Sequence, residues 1–313
     1  MSTEDNFFFI RDEPLSAHTT FCVGGPADFY LRPDGGSFPA LAPRIVNYAA
    51  ENKIPLFVLG GGANVLASDN GFHGIVLDTT DFSGCTIRKT GHNAEIHARA
   101  GTKSDYIAGF AAENSVAGVE FLAGLPGTIG GAVWMNARCY EKSLSDVLLS
   151  VTILDESLAV RTIPIKKDDF GYKKSPFQNR RVIILEACLT VKAGDSAAIQ
   201  NTMAGFRKDR ELKGHFSYPS AGSIFKNNRD FGKPAGKIIE ELGLRGIQTG
   251  GAQIAPWHGN FIINRGNAAA ADIHALIELI KSKAYDKLAI NLEPEIIFLG
   301  FHNGTTGLPF CAP

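Results

Sequence analysis

The sequence predicts an α+β protein with more than one domain. Its 313 residues exceed the usual length of a single domain. Short apolar runs that stop at glycines predict buried strands, and longer segments with one apolar face predict helices. After residue 191 the pattern changes from strand-rich to helix-rich. We therefore expect two subdomains at 1–78 and 79–196, a further domain at 197–300 and a tail at 301–313.

The first predicted unit is small and contains one helix between strands. Residues 38–52 have a helical pattern, and Leu56–Leu59 forms an apolar run that stops at three glycines. A second apolar run at 74–77 completes a small α/β unit. Alternation of apolar and polar residues from Cys85 to about Ala100 predicts a strand with one exposed face.

The later elements are predicted from the same features, short apolar runs for strands and segments with one apolar face for helices. Ser104 is a candidate N-cap for a helix that ends at Asn114. The remaining predictions are strands at 147–154, 160–165 and 182–191, helices at 196–211, 235–243 and 270–288, and a last strand at 295–299.

Composition limits the classes of partner. A formal net charge of -1 gives no general attraction to nucleic acid or to anionic membranes, so an anionic ligand must be held by local groups. Five scattered cysteines without a Cys-x-x-Cys spacing argue against a disulfide framework and a structural zinc site. The apolar run Phe7–Ile10 is too short for a signal peptide or a membrane span. We expect no metal, and a cytoplasmic location.

Two glycine-rich segments are candidate cofactor loops. The first segment follows a predicted strand, and without side chains its backbone N–H groups can approach a phosphate. A tight structural turn explains this segment equally well, because the glycine spacing of the Rossmann motif is absent. The second leaves one backbone face bare, which favours a flat cofactor over a bulged loop between strands. The candidate residues are Gly60, Gly61, Gly62, Ala63, Asn64 and Val65 in the first, and Gly124, Pro126, Gly127, Thr128, Gly130, Gly131, Ala132 and Asn136 in the second.

Four other places carry reactive side chains, each with an ordinary explanation. Lys173, in the basic-aromatic segment 172–175, is able to bind a carboxylate or lie in a solvated loop. The small-residue loop 219–227 contains Ser223 but no G-x-S-x-G hydrolase motif, and its composition is also that of a turn. Glu295 directly precedes an apolar strand, where it is either a capping residue or an acid catalyst. His258 is either a surface residue or a ligand contact.

Six segments, taken together and in their order along the chain, resemble the UDP-N-acetylenolpyruvoylglucosamine reductase family. The resemblance covers residues 15–300, approximately. The short separation between Lys173 and Ser223 resembles the form of the family that lacks an additional tyrosine-bearing substrate loop. The matching segments are His18–Gly25, Leu59–Asn64, Phe121–Ala137, Pro219–Asn227, Gly250–Gln253 with Asn260–Asn264, and Leu292–Glu295.

The resemblance implies a fold and a reaction. The fold is a two-subdomain FAD-binding fold of the vanillyl-alcohol-oxidase and p-cresol-methylhydroxylase type, followed by an α+β substrate domain. NADPH reduces FAD and leaves. The enolpyruvyl ether of UDP-N-acetylglucosamine then enters the same cleft and accepts hydride and a proton, which gives UDP-N-acetylmuramate for peptidoglycan synthesis.

The resemblance also implies roles for single residues. Ser223 is the expected proton donor, and Lys173 and Glu295 are expected to stabilise the charge that develops on the substrate carboxylate. Tyr172, Asn227 and His258 match positions that contact substrate or nucleotide, and both glycine segments match FAD-binding positions.

Some positions depart from the family pattern. Lys173 stands where the family has an arginine, so a single charge replaces a bidentate fork. Ile297 also occupies a usual arginine position, and Arg138, Cys139 and Glu141 differ from the common motif. Another FAD oxidoreductase of the same fold, acting on a hydroxy acid or sugar, is the main alternative. A non-catalytic flavin module is the third interpretation, which the retained Ser223 and Glu295 disfavour.

Overall fold

The computed structural model describes residues 7–301, so nearly all of the predicted tail lies outside it. The helices are α1 (Phe38–Glu51), α2 (Ser104–Glu113), α3 (Ile129–Trp134), α4 (Ser196–Leu212), α5 (Ala235–Glu241) and α6 (Ala270–Leu288). The strands are β1 (Ile10–Pro14), β2 (Pro26–Leu31), β3 (Leu56–Leu59), β4 (Val65–Ala67), β5 (Phe72–Asp78), β6 (Cys85–Thr90), β7 (Asn93–Arg99), β8 (Val116–Ala117), β9 (Arg138–Cys139), β10 (Lys142–Ser143), β11 (Leu148–Leu154), β12 (Val160–Pro164), β13 (Ile183–Ala193), β14 (Gln248–Thr249), β15 (Ala252–Ile254), β16 (Ile262–Asn264) and β17 (Ile297–Leu299).

The first sheet has the strand order β1-β2-β5-β3, and β2, β5 and β3 run parallel. Helix α1 buries Phe38, Ala42, Ile45 and Ala49, a spacing that places them on one face of the helix. The helix therefore forms over nearly the predicted residues. Strand β3 ends at Leu59, directly before Gly60, at the carboxyl edge of the parallel strands, where α/β sheets commonly bind ligands.

The second sheet is antiparallel, with the order β12-β11-β13-β7-β6 and β8 added to β13. The strand predicted between Cys85 and Ala100 is two strands, because the chain turns at Gly91, where φ is +62°. Alternation continues on both sides of this turn, so the pattern alone conceals the hairpin. The N-cap of α2 is Lys103; Ser104 lies inside the helix with a buried side chain, so its predicted capping role is wrong.

The C-terminal part packs α5, α6 and the sheet β14-β15-β16 around a core of its own. Ile239, Ile262 and Ile277 lie in this core together with Phe21 from the N-terminal region. Helix α6 spans the predicted residues. None of the helices within residues 7–301 is long and apolar enough to cross a membrane.

The last strand returns to the beginning of the fold. Strand β17 pairs in parallel with β4, and Leu299 packs in the same core as Leu15 and Val65. The backbone N–H of Ile297 donates to the carbonyl oxygen of Asn64 over 2.8 Å. The first glycine segment is thereby joined to the end of the described chain, and the domain boundaries at 78, 196 and 300 stay a prediction.

Candidate active site

A large cleft lies where the first sheet, α3 and the C-terminal region meet. It contains about 1850 Å³ of empty space, including the part that opens to solvent. One side consists of Gly60–Val65 and Gly127–Ala132, which we call the glycine wall. Lys173, Ser223 and Glu295 line the cleft as well, and we call them the reactive wall.

The two segments of the glycine wall pack directly against each other. A Cβ atom at Gly60 would lie 2.5 Å from Oγ1 of Thr128, and one at Gly61 would lie 2.7 Å from the Cα atom of Gly127. Both distances are shorter than van der Waals contact, so side chains at Gly60 and Gly61 would push the segments apart. The glycines are therefore required for the close approach of two backbones.

Gly131 differs from these glycines. The nearest atom to a Cβ placed there, Oγ1 of Thr128, would be 3.9 Å away, so a side chain at Gly131 would be compatible with the packing around it. Since Gly131 lines the cleft, its bare backbone leaves room for a ligand. The buried hydroxyl of Thr128 has no hydrogen-bond partner within the described chain. A bare backbone surface beside an unpaired hydroxyl fits a flat, polar cofactor such as FAD.

Two of the predicted cofactor residues, Gly124 and Asn136, lie outside the cleft lining. A Cβ atom at Gly124 would be 2.9 Å from Cδ of Arg210, so Gly124 makes room for the Arg210 side chain. The buried amide of Asn136 donates to the carbonyl oxygen of Gly171 over 2.8 Å and accepts from the N–H of Ser145 over 3.1 Å. Asn136 thus holds the turn that carries Lys173. The remaining predicted cofactor residues line the cleft.

Lys173 and Glu295 form a mostly buried ion pair. The Nζ atom of Lys173 donates to Oε1 of Glu295 over 2.5 Å, and the side chains are 13% and 10% exposed. Lys173 has a φ of +56°, in the left-handed region, at a turn closed by backbone hydrogen bonds between Gly171 and Lys174. A non-glycine residue in that region is uncommon and is held by its surroundings, here by the contacts of the turn.

The backbone of Glu295 connects both walls. Its N–H donates to the carbonyl oxygen of Ile224 over 2.6 Å, and its carbonyl oxygen accepts from the side chain of Asn64 over 2.9 Å. Ile224 adjoins Ser223, while Asn64 belongs to the glycine wall. Two hydrogen bonds therefore position the carboxylate of Glu295 relative to both.

Ser223 is fixed through its neighbours. It forms a β-bridge with Phe261. The side chain of Asn260 accepts from the N–H of Phe225 over 2.9 Å and donates to the carbonyl oxygen of the same residue over 2.8 Å. These bonds anchor the serine loop to the residues directly before β16, so two of the segments that resemble the family, Pro219–Asn227 and Asn260–Asn264, lie together. Lys173, Ser223 and Glu295 are accordingly gathered at one cleft.

The predicted substrate residues Tyr172, Asn227 and His258 lie outside the lining. The exposed Tyr172 hydroxyl oxygen accepts from the N–H of Asn227 over 3.4 Å, so these two residues lie together beside the turn of Lys173. The ring of His258 lies 4.4 Å from that of Phe261, which lines the cleft. Burial lowers the pKa of His258 and favours the neutral imidazole.

Arg210 was missed by the sequence analysis. It lines the cleft and is buried, and its Nη2 atom has no hydrogen-bond partner among residues 7–301. Its Nε atom donates to the carbonyl oxygen of Ala123 over 3.2 Å, but a buried Nη2 donor left unpaired is costly, which favours a ligand that carries a hydrogen-bond acceptor, such as an anion. The available signal was its position: Arg210 shares the buried face of α4 with Ile199 and Met203.

His215 lies beside Arg210 in the cleft. Burial and the positive charge of Arg210 lower its pKa to about 4, so His215 is neutral at neutral pH. Of the two neighbours Arg210 and His215, Arg210 therefore carries the positive charge at this end of the cleft.

Comparisons with known proteins identify both parts of the chain. A family model described as an FAD binding domain matches residues 42–160, and one described as the UDP-N-acetylenolpyruvoylglucosamine reductase C-terminal domain matches residues 214–299. The curated UDP-N-acetylenolpyruvoylglucosamine reductase of Treponema denticola is 41% identical over 301 residues, covering 92% of each chain. That of Caldanaerobacter subterraneus subsp. tengcongensis is 38% identical over 289 residues, covering 92% of this chain and 93% of the relative.

A solved structure agrees. The UDP-N-acetylenolpyruvylglucosamine reductase of Thermus caldophilus matches with a TM-score of 0.76 and 29% identity, covering 93% of this chain and all of that one. The predicted fold class, an FAD-binding fold followed by an α+β domain, is confirmed, and so is the prediction of an FAD-dependent oxidoreductase. The chain belongs to the UDP-N-acetylenolpyruvoylglucosamine reductase family.

Proposed function

We propose that this chain is the NADPH-dependent reductase that converts the enolpyruvyl ether of UDP-N-acetylglucosamine into UDP-N-acetylmuramate, for peptidoglycan precursor synthesis in the cytoplasm. Family membership and one observation support this reaction: Lys173, Ser223 and Glu295 line the same cleft as the glycine wall. A cationic group, a hydroxyl and a carboxylate are thus available beside a surface that fits a flavin.

The glycine wall would hold FAD. Its bare backbone at Gly131 and the unpaired hydroxyl of Thr128 supply space and a hydrogen-bonding group. The guanidinium of Arg210, whose Nη2 atom has no hydrogen-bond partner among residues 7–301, supplies a positive charge for a phosphate group of a nucleotide ligand. When bound, FAD supplies hydride transfer, first from NADPH and then to the substrate.

The Lys173–Glu295 pair would recognise the substrate carboxylate. A lysine ammonium has three N–H donors, and the bond to Glu295 uses one, so two remain for an incoming carboxylate. Glu295 orients the ammonium, and the ammonium stabilises the negative charge that develops on the substrate carboxylate when hydride is added at the terminal methylene carbon. This role requires only a positive charge at a fixed position, which a lysine supplies in place of an arginine.

Ser223 would complete the reduction by proton donation. Addition of hydride to the methylene carbon breaks the C=C π bond and moves its electron pair toward the carboxylate. The adjacent carbon then takes the proton of the Ser223 hydroxyl, and the serine oxygen regains a proton from solvent. The product gains one hydride and one proton, which balances the reduction of one double bond.

We further propose that NADPH and the sugar nucleotide use the cleft in turn. Both are anionic nucleotides, and Arg210 and Lys173 are basic side chains of the lining. Shared occupancy predicts that excess sugar nucleotide slows flavin reduction by NADPH. Independent sites predict no such competition.

The decisive experiment follows the colour of the purified protein. It should be yellow, lose its colour with NADPH in the absence of oxygen, and regain it when the enolpyruvyl sugar nucleotide is added. A protein that bleaches with NADPH but does not recover with this substrate contradicts the proposed reaction. Bleaching by a hydroxy acid or sugar without NADPH would instead support the alternative oxidase.

A further inference from the structure

A cluster of thiol, imidazole and carboxylate groups lies on the second sheet, outside the cleft lining. Strands β7 and β13 are antiparallel neighbours, and His97 is directly opposite Cys188 in their register. Glu95 lies two residues before His97, and Glu186 two residues before Cys188, so all four side chains occupy one face of the sheet. The apolar residues Ile96 and Ala98 point to the other face, into the core.

The spacing of three of these groups is that of a metal site. The Nε2 atom of His97 lies 3.7 Å from Sγ of Cys188 and 3.6 Å from Oε2 of Glu95. The three ligand atoms all lie within 4.8 Å of one another. In a tetrahedral zinc site with bond lengths of about 2.0–2.3 Å, ligand atoms are roughly 3.3–3.6 Å apart. Small side-chain rotations would therefore bring them to coordination distance.

Glu186 provides a second, independent indication. Its Oε1 atom lies 3.1 Å from Nδ1 of His97, on the side of the ring away from Glu95 and Cys188. A carboxylate that accepts from one ring nitrogen directs the proton there and leaves the other nitrogen free as a ligand. Most metal-binding histidines donate their other ring N–H in this way, to a carboxylate, a backbone carbonyl or water.

We propose that Glu95, His97 and Cys188 bind one Zn²⁺ ion, with Glu186 orienting the histidine and a water molecule in the fourth position. Thiolate, imidazole and carboxylate are the ligand types that zinc accepts. His97 and Glu95 are about one-third and one-quarter exposed, at 34% and 27%, which leaves a path for the ion and the water. By joining β7 to β13, the ion would cross-link the centre of the sheet.

Two features oppose binding and must be overcome. Nη2 of Arg88 donates to Oε2 of Glu95 over 2.6 Å, but Arg88 is 71% exposed, and ion pairs of this kind contribute little. Burial raises the pKa of the Cys188 thiol to about 11, so zinc must displace a proton.

The test uses Co²⁺ as a spectroscopic probe of the flavin-loaded protein, purified without a metal-affinity tag and kept reduced. Co²⁺ should bind with one ion per chain and give ligand-field bands in the red, where oxidised flavin does not absorb, and Zn²⁺ should abolish them. Cys188→Ser and His97→Gln should lose the bands while retaining their flavin spectrum. Glu186→Gln should weaken binding 10- to 100-fold, as loss of a carboxylate behind a metal-binding histidine usually does.

Matched controls separate this site from other thiols and histidines. Cys22→Ser removes an exposed cysteine, and His73→Gln removes a histidine paired with Asp28 over 3.2 Å elsewhere on the surface. Both should retain the bands. Arg88→Gln should bind Co²⁺ more tightly because the competing cation is gone. The proposal is overturned if the wild-type protein gives no such bands, if they survive Cys188→Ser, or if Arg88→Gln weakens binding.

Discussion

The two walls of the cleft are built by different means. The glycine wall presents mostly bare backbone to the cleft, and its residues lie in two short segments. The reactive wall consists of three side chains, at positions 173, 223 and 295, that only long-range contacts bring together. One of those contacts, from Asn64 to Glu295, spans 231 residues.

This difference determines how each wall should respond to substitution. The glycine wall works because side chains are absent, so a substitution there should act by filling space and excluding the cofactor. The reactive wall works through a charge and a proton, so a substitution there should spare the cofactor and slow one half-reaction. Flavin occupancy and the rates of the two half-reactions therefore distinguish the walls.

The largest effect is expected at Gly131. Gly131→Val would place a branched side chain in the space reserved for the cofactor, while the surrounding protein has room for its Cβ atom. We expect folded, colourless protein without reductase activity. Gly205→Val is the control, because Gly205 lies exposed in α4 with nothing near a Cβ atom. Full FAD occupancy in Gly131→Val, measured by absorbance, would remove the glycine wall from the cofactor site.

At Lys173 the expected loss concerns the second half-reaction. Lys173→Ala removes the ammonium bound to Glu295, so reoxidation by the sugar nucleotide should slow by roughly two orders of magnitude or more, the scale for one charge-stabilising donor. Reduction by NADPH should stay nearly unchanged. Lys174→Ala, at the exposed neighbouring position, serves as the control. If stopped-flow absorbance shows normal reoxidation in Lys173→Ala, another base performs this role.

Substitution of Ser223 should also slow only the second half-reaction, because it removes a proton donor rather than a positive charge. Ser223→Ala should bind FAD and bleach normally, yet turn over the sugar nucleotide at least ~10²-fold more slowly, the lower end of general-acid contributions. Ser223→Cys, which retains a proton, should recover part of that rate. Ser220→Ala in the same loop is the matched control, since Ser220 lies outside the cleft lining. Equal slowing of both half-reactions would mean that Ser223 only shapes the cleft.

The smallest effect is expected at Asn136, which supports the reactive wall from behind. Asn136→Ala would remove the hydrogen bonds of the Asn136 side chain to the carbonyl oxygen of Gly171 and to the N–H of Ser145; at about 0.5–1.5 kcal/mol each, their loss should lower the free energy of unfolding by about 1–3 kcal/mol. Asn52→Ala removes an exposed hydrogen bond from the Asn52 side-chain amide to the carbonyl oxygen of Tyr48. It should change the free energy of unfolding far less. Denaturant titration compares the two. If Asn136→Ala instead lost FAD without loss of stability, Asn136 would belong to the glycine wall.

The sequence predicts an element well where interactions between neighbouring residues determine its structure. Helix α6 has the predicted bounds, because helical amphipathicity is a property of neighbouring residues, whereas the cofactor role of the glycine segments stays a prediction. The hairpin at Gly91 was missed because an alternating pattern reads identically on both sides of a tight turn. The side-chain assignments to the reactive wall remain predictions for mutagenesis.

Long-range features needed the structure. Asn136 matched a cofactor motif, yet its amide is occupied by Gly171 and Ser145, residues that only the folded chain brings to it. The pairing of His97 with Cys188 was likewise hidden, since the two residues lie 91 positions apart and share no metal-binding spacing. Arg210 was the exception: a cation on the buried face of α4 was detectable in the sequence.

The return of β17 to β4 has a consequence for synthesis in the cell. The loop at Asn64 obtains its hydrogen bond to Glu295 only after the ribosome has added 231 further residues, and its hydrogen bond to Ile297 later still. At about 5–20 residues per second, that interval is roughly 12–46 s. During it the nascent chain has its glycine loops but neither the strand nor the carboxylate that complete the cleft. We therefore expect the cleft to be completed, and the flavin to be held productively, only after Glu295 and Ile297 have left the ribosomal tunnel.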